Sequence, residues 1–206
     1  MLLQELELIH ADTLNEEGKE ILADAGKTVT RMTQLVEDIL GYARTIEEGM
    51  QIDTVDLNTV VQDILEDLRG DIGNANAKIL TSALPSIEGN RAQLRMLLQN
   101  LIANAVKFRT PDRPPRIEIA CHPATDPRWV KITVTDNGIG IAPKYHDKVF
   151  ELFQRLHSFG EYDGSGMGLT LCKRVVTNHS GHIRIASRIG HGTTIEVNLP
   201  REKYGT

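Results

Sequence analysis

The run NLIANAVKF, residues 100–108, decides how the rest of this chain is read. Asn100, Asn104 and Lys107 fall at i, i+4 and i+7, so a helix places all three on one face. Leu97, Leu98, Leu101, Ile102 and Val106 take the other side. Two amides and an amine on one stripe suit a divalent cation and phosphate oxygens: the amides offer neutral oxygen ligands for Mg²⁺, and the lysine offers a point charge. A solvated helix face would carry the same residues, so the run needs company before it means anything.

Working outward, the periodicity predicts a helix over 91–108, stopped by the proline-rich turn TPDRPP. Paired strands follow at 117–122 and 129–135, then a helix at 169–179 and strands at 182–187 and 193–199 joined by the turn IGHG. Upstream, 52–55 reads as a strand, 57–68 as an amphipathic helix, and 78–84 as a strand ended by Pro85. Strands and helices mix without strict βαβ order, which favours a two-layer α/β sandwich over a doubly wound sheet. Before Gly49 the texture differs. Ile21, Leu22, Ala25, Val29, Met32, Leu35, Val36, Ile39, Leu40 and Ala43 recur at spacings of three and four, predicting one helix over 15–48. Asn15 is its expected N-cap, with Glu16 and Glu17 at the positive end of the dipole. A lone helix of that length cannot bury its stripe, so a partner helix is expected, from this chain or from a second copy. Residues 2–9 suggest the last turns of a preceding helix.

Three further clusters accompany the first. DNGIGI follows the strand that ends near Thr135. Asp136 at a strand end can accept a hydrogen bond from an exocyclic amine, while Gly138 and Gly140 allow a tight turn and close approach of a flat ligand; a plain turn is the simpler alternative. In GSGMGL, Gly164, Gly166 and Gly168 put backbone N–H groups at a helix start, where phosphate binds readily. No strand precedes it, which argues against a dinucleotide-binding βαβ unit. GHGTT, with Gly190, Gly192 and Thr193, is by itself only a hairpin turn.

Bulk properties narrow the field. With 206 residues, a net charge of −5 and 40% hydrophobic residues, the chain has core enough for one or two domains and no general attraction to nucleic acid. No apolar run reaches the roughly 20 residues that span a bilayer, and the acidic N-terminus lacks a signal peptide's basic region. The two cysteines, Cys121 and Cys172, fit no metal spacing and are expected as small buried groups in a reducing cytoplasm. His122, His146, His157, His179, His182 and His191 are expected on surfaces or turns.

In this order and spacing the four clusters resemble the N, G1, G2 and G3 boxes of sensor histidine kinases, within the superfamily of Bergerat-fold ATPases and kinases. VFELFQRL, with Phe150 and Phe153, resembles their F box, and the match covers about 52–200. The stretch FQRLHSFGEYDGSGMGLTLCKRVV looks like kinases of the phytochrome-associated kind. The helix over 15–48 resembles the second helix of their dimerisation and phosphotransfer hairpin. The resemblance implies a Bergerat sandwich preceded by a long hairpin helix, with 1–48 a partial dimerisation and histidine-phosphotransfer region and 49–206 the ATP-binding catalytic domain. It implies ATP and Mg²⁺ as cofactors, a homodimer through the N-terminal helix, a response regulator receiver domain as partner, and no nucleic acid or membrane contact. Asp136 would read the adenine amine, Asn100 and Asn104 would hold Mg²⁺, and Lys107 would meet the phosphates. Phe108 and Ile141 would contact the base, with Gly138 and Gly140 beside them. Gly164, Gly166, Met167, Gly168 and Leu169 would cradle the phosphates, and Thr193 would lie by the adenine. Phe153 and Arg155 would come from a lid over 142–165, Arg155 approaching the terminal phosphate. Asn100, Lys107 and Arg155 would form the catalytic set.

Asn100 also separates kinases from hydrolases. Gyrase-type ATPases carry a glutamate there to activate water, and an amide cannot take a proton. The phosphoacceptor motif, a histidine followed by an acidic residue, is absent: His10 precedes Ala11, Asp12 and Thr13. The acceptor helix is therefore expected upstream of Met1. Asn90 stands where many relatives have aspartate. A non-catalytic nucleotide-binding module or phosphotransfer adaptor is the alternative, against which the retained glycines and amides speak.

Overall fold

A computed structural model of the chain describes residues 15–47, 51–152, 154 and 166–202. Helix α1 spans Glu16–Glu47. Its start is the one expected: the Asn15 carboxamide accepts from the Gly18 N–H at 2.9 Å, satisfying a first-turn donor that has no helical partner. Segment 2–9 and His10 lie outside the described residues.

Next come β1 (Asp53–Asp56), α2 (Leu57–Asp67), the short α3 (Arg69–Asn74), β2 (Lys78–Thr81) and β3 (Ser86–Gly89). The strand expected over 78–84 is therefore shorter. Its second half gives way to a loop held by Asn58, whose amide donates to the Leu84 carbonyl at 2.6 Å and accepts from the Leu84 N–H at 2.8 Å. The chain then forms β3, which the sequence reading missed, and β3 pairs with β1 as an antiparallel ribbon.

Helix α4 (Arg91–Lys107), strands β4 (Arg116–His122) and β5 (Trp129–Asp136), helix α5 (Gly168–Asn178), and strands β6 (His182–Arg188) and β7 (Gly192–Pro200) complete the described chain. The five-stranded sheet runs β2-β4-β5-β7-β6. Only β2 and β4 are parallel; the other neighbours are antiparallel. Alternation puts Ile117, Ile119, Val130, Ile132, Val134, Ile195, Val197 and Leu199 on one face, all buried. Against that face lie Val60, Val61 and Ile64 of α2, Leu94, Leu97, Leu98, Leu101 and Ile102 of α4, and Cys172, Val175 and Val176 of α5, in one continuous core. Each such side chain contributes about 1.5–3 kcal/mol on burial. The fold is the expected two-layer α/β sandwich.

Helix α4 is seated twice over. Asn90 caps it, accepting from the Gln93 N–H at 3.0 Å, so the amide in place of an aspartate still does the capping. Arg91 and Arg95 pair with Asp63 and Asp67 of α2, fixing the rotation that turns Asn100 and Asn104 away from the core. On α1, Leu22 and Ala25 are half-buried, whereas Ile21, Val29, Met32, Val36 and Leu40 are more than half exposed. No helix among the described residues is long and apolar enough to cross a membrane.

Two side-chain expectations need correction. His179 is not a surface residue. It is buried at 6% exposure, its Nδ1 donates to the Val175 carbonyl at 2.8 Å, and its Nε2 accepts from the Asn90 N–H at 3.0 Å. It joins the C-terminal end of α5 to the N-cap of α4. Cys172 is buried as expected, but Cys121 is only half-buried.

Candidate functional site

The site forms where β5 ends. Its last residue, Asp136, is half-buried, and burial raises its carboxyl above the usual aspartate range, opposed by hydrogen bonds from the Gly138 and Thr193 N–H groups. Both bonds go to Oδ1, at 2.7 Å from Gly138 and 3.2 Å from Thr193. Among the described residues no hydrogen bond reaches Oδ2, so half of the carboxylate is available as an acceptor.

The glycines of the 136–141 loop are there because backbone comes too close for a side chain. A Cβ on Gly138 would sit 2.1 Å from the Phe108 carbonyl oxygen. Gly140, at φ +70°, would bring a Cβ to 2.0 Å from the Arg188 carbonyl. These contacts hold the loop to the end of α4 and to the β6–β7 turn, which are also joined by bonds from Ile139 N–H to the Phe108 carbonyl (3.0 Å) and from Gly190 N–H to the Ile139 carbonyl (2.7 Å). A Cβ on Gly192 would likewise come within 2.0 Å of the Asp136 carbonyl oxygen.

Across the cleft, α4 meets the start of α5. A Cβ on Gly168 would lie 2.8 Å from Asn100 Oδ1 and 3.8 Å from Asn104 Nδ2, so both amides stand beside the first turn of α5. The Asn100 Nδ2 donates to the Met96 carbonyl at 2.9 Å, which leaves Oδ1 facing Gly168 at the start of α5. Met167 precedes the helix and gives it no side-chain cap hydrogen bond, and the first N–H groups of a helix have no partner within the helix itself. Met167 itself is buried at 1% exposure, its side chain in the core rather than the cleft. Leu169 is half-buried. Lys107 lies with Nζ 4.8 Å from the centre of the Phe108 ring, at the same end of α4.

Contacts among α4, the 136–141 loop, the β6–β7 turn and the start of α5 bring together Asn100, Asn104, Phe108, Asp136, Gly138, Gly140, Gly168 and Thr193, with Lys107, Ile141, Gly166, Met167 and Leu169 adjacent to them in the chain. Phe153, Arg155 and Gly164 lie outside the described residues, as does 155–165 of the expected lid. The part of that segment before it, to Leu152, is anchored. Val149 and Phe150 are buried, and the Thr170 hydroxyl donates to the Glu151 carbonyl at 2.9 Å.

Three contributors escaped the sequence reading. Ser187 accepts from the Ile141 N–H and donates to the Gly192 carbonyl, both at 2.8 Å. Asn137, read only as a turn residue, accepts from the Arg116 N–H at 2.7 Å. Arg113 bonds to the carbonyls of Asn137 and Gly190. Its position between prolines was the only available signal.

A family model described as histidine kinase-, DNA gyrase B-, and HSP90-like ATPase matches residues 89–203. The chain belongs to this family. Among curated relatives of this ATPase, cyanobacterial phytochrome A of Nostoc sp. is 36% identical over 197 residues, 96% of this chain and 25% of the relative. The phytochrome-like protein Cph1 of Synechocystis sp. is 37% identical over 96% of this chain and 26% of its own. The adaptive-response sensory kinase SasA of Synechocystis sp. is 28% identical, covering 95% of this chain and 52% of the relative. The chain therefore spans about a quarter of the length of the phytochromes it matches. Among solved structures, full-length ShkA in complex with AMPPNP superposes with a TM-score of 0.73 at 23% identity, over 99% of this chain and 43% of that one. Histidine kinase ThkA in complex with the response regulator TrrA gives 0.70 at 18% identity, over 97% and 57%. The matched domain is thus related to those of histidine kinases, in fold and in kinship.

Proposed function

We propose that this chain is the ATP- and Mg²⁺-binding catalytic region of a two-component sensor kinase, which phosphorylates a histidine for onward transfer to the aspartate of a response regulator receiver domain. What carries this reading is the apposition of Asn100 and Asn104 to the first turn of α5, 2.8 and 3.8 Å from a Cβ built on Gly168, with the Asp136 carboxylate bracketed at the other side of the cleft. The cradle that no side chain could share fits a nucleotide, and the donor set fits its metal. Asp136 Oδ2 accepts from the adenine amine. Asn100 and Asn104 supply neutral oxygens to Mg²⁺, Lys107 meets the phosphates, and the uncapped N–H groups of Gly168 and Leu169 bind phosphate oxygens. Phe108 and Ile141 line the base, and the F-box and glycine motifs nominate Phe153, Arg155 and Gly164, outside the described residues, as further nucleotide contacts. Bound Mg²⁺ neutralises charge that develops on the phosphates.

Asn100 supports phosphoryl transfer over hydrolysis. Its amide holds a ligand but takes no proton, so the cleft has no general base at the place where hydrolases need one. Transfer to a histidine supplied by a phosphotransfer hairpin follows. The exposed stripe of Val29, Met32, Val36 and Leu40 on α1 supports a homodimer through that helix, with 1–48 belonging to the hairpin and 49–206 to the catalytic domain. A receiver-domain partner and two free thiols support a cytoplasmic location.

The test is transfer from γ-labelled ATP with Mg²⁺ to an added histidine-bearing hairpin from a longer relative. Acid-labile label on the hairpin, lost in Asn104→Ala, is the expected result. Nucleotide binding without any transfer would favour the non-catalytic module instead.

A further inference from the structure

Between α4 and β4 the chain reads TPDRPP, and Pro111, Pro114 and Pro115 fix three backbone φ angles there. The segment is tied down at its C-terminal end: the Pro115 carbonyl accepts from the Lys78 N–H at 2.8 Å, and the Pro114 carbonyl accepts from the Asn137 amide at 3.2 Å. Arg113 rises from this stiff base. Its Nε and one terminal nitrogen donate to the Asn137 carbonyl at 2.9 and 2.6 Å. The same terminal nitrogen reaches the Gly138 carbonyl at 3.4 Å and the Gly190 carbonyl at 2.8 Å. Its acceptors are all neutral backbone carbonyls. A planar guanidinium with a fixed fan of donors can hold several carbonyls at set positions; a lysine ammonium cannot reproduce that geometry.

Those carbonyls belong to the two loops that hold Asp136. Gly138 gives Asp136 Oδ1 one of its N–H bonds, and Thr193, just past the Gly190 turn, gives the other. Arg113 therefore clamps from outside what the carboxylate joins from inside. The loops have other links, including the bond from Gly190 to Ile139, so removing the clamp loosens their separation without unfolding them.

We propose that Arg113 is a positioning residue for base selection. It touches no nucleotide, and holds the 137–138 loop and the 189–192 turn at the separation that aims the free Asp136 oxygen at the base. This role rests on the reading of the cleft as an adenine-nucleotide site. A base with a 6-amino group gains from a well-aimed carboxylate, and one with a 6-oxo group does not, so the clamp matters to one and not to the other.

The experiment is calorimetric titration of the full chain with ADP-Mg²⁺ and with inosine diphosphate-Mg²⁺, for wild type, Arg113→Met and Arg113→Lys. Wild type binds ADP more tightly. Arg113→Met is expected to weaken ADP several-fold while leaving inosine diphosphate nearly unchanged, so that the ratio falls, and Arg113→Lys restores only part of it. Hydrogen exchange at the Gly138 and Thr193 amides rises in step. Should Arg113→Met fail to fold, the ratio and the exchange are taken from Arg113→Lys. A wild type that discriminates beside a folded variant with the same ratio, or with both nucleotides weakened equally, overturns the role of Arg113 alone. A wild type that binds neither nucleotide overturns the reading of the cleft, and this role with it.

Discussion

Replacing Asp136 by asparagine changes one atom and tests the site from two directions. The asparagine oxygen can keep both backbone bonds now made by Oδ1, from Gly138 and Thr193. Its other group then becomes an NH₂ donor where the carboxylate offered an acceptor. Toward adenine a donor faces a donor. A hydrogen bond to a charged group contributes about 1.5–3 kcal/mol, which at about 1.4 kcal/mol per tenfold is a loss of roughly tenfold to a hundredfold in ADP affinity. Toward a 6-oxo base the same NH₂ is complementary, so inosine diphosphate should bind better than it does to wild type. Stability moves the opposite way. Burial raises the Asp136 carboxyl above 3.8 in the folded chain, so the folded state binds a proton more readily than the unfolded one. That group's contribution to stability is full below pH 3.8 and is lost as pH rises through the folded value. At neutral pH Asp136 is thus a net cost to the free protein, and Asp136→Asn should raise its Tm. Nucleotide affinity of the wild type should fall as pH drops toward the raised value, beginning above 3.8, while Asp136→Asn shows no such fall. Calorimetry at several pH values and thermal melts by circular dichroism provide all these readings. Unchanged ADP affinity in a folded Asp136→Asn chain would refute the assignment of Asp136 to the base.

Gly138→Ala would force a Cβ to 2.1 Å from the Phe108 carbonyl; the loop must move, at a cost on the order of 3 kcal/mol, seen as a lower urea midpoint together with lost ADP binding. His179→Ala removes the acceptor of the Asn90 N–H and the donor to Val175, and should destabilise by about 2–4 kcal/mol, from the unpaired N–H and the cavity together; a midpoint within 0.5 kcal/mol of wild type would show that the bond carries no weight. Met32→Asp with Val36→Asp puts charges into the exposed α1 stripe, where Met32 is 62% and Val36 56% exposed, and should lower the association state seen by light scattering at high concentration without altering ADP binding. A monomer in both wild type and double variant would refute the dimer.

What the sequence determined by itself was local. Spacings of three and four set α1 and α4, the i, i+4, i+7 placement put Asn100, Asn104 and Lys107 on one side of α4, and alternation gave the long strands. Asn15 named its own cap. Joint order of four short clusters carried the family, because each cluster is a backbone shape encoded within a few residues. The strand over 52–55 was legible as β1, but its partner β3 was not, since four residues are too few to display a period and the ribbon needs both strands. His179 looked like a turn residue because its two partners, Asn90 and Val175, are brought together only when α4 packs on α5. Arg113 and Gly190 are 77 residues apart; nothing near either one names the other. Local pattern fixes what a segment becomes, whereas the distances between segments, and so the aim of Asp136, follow from how the five-stranded sheet and its covering helices pack.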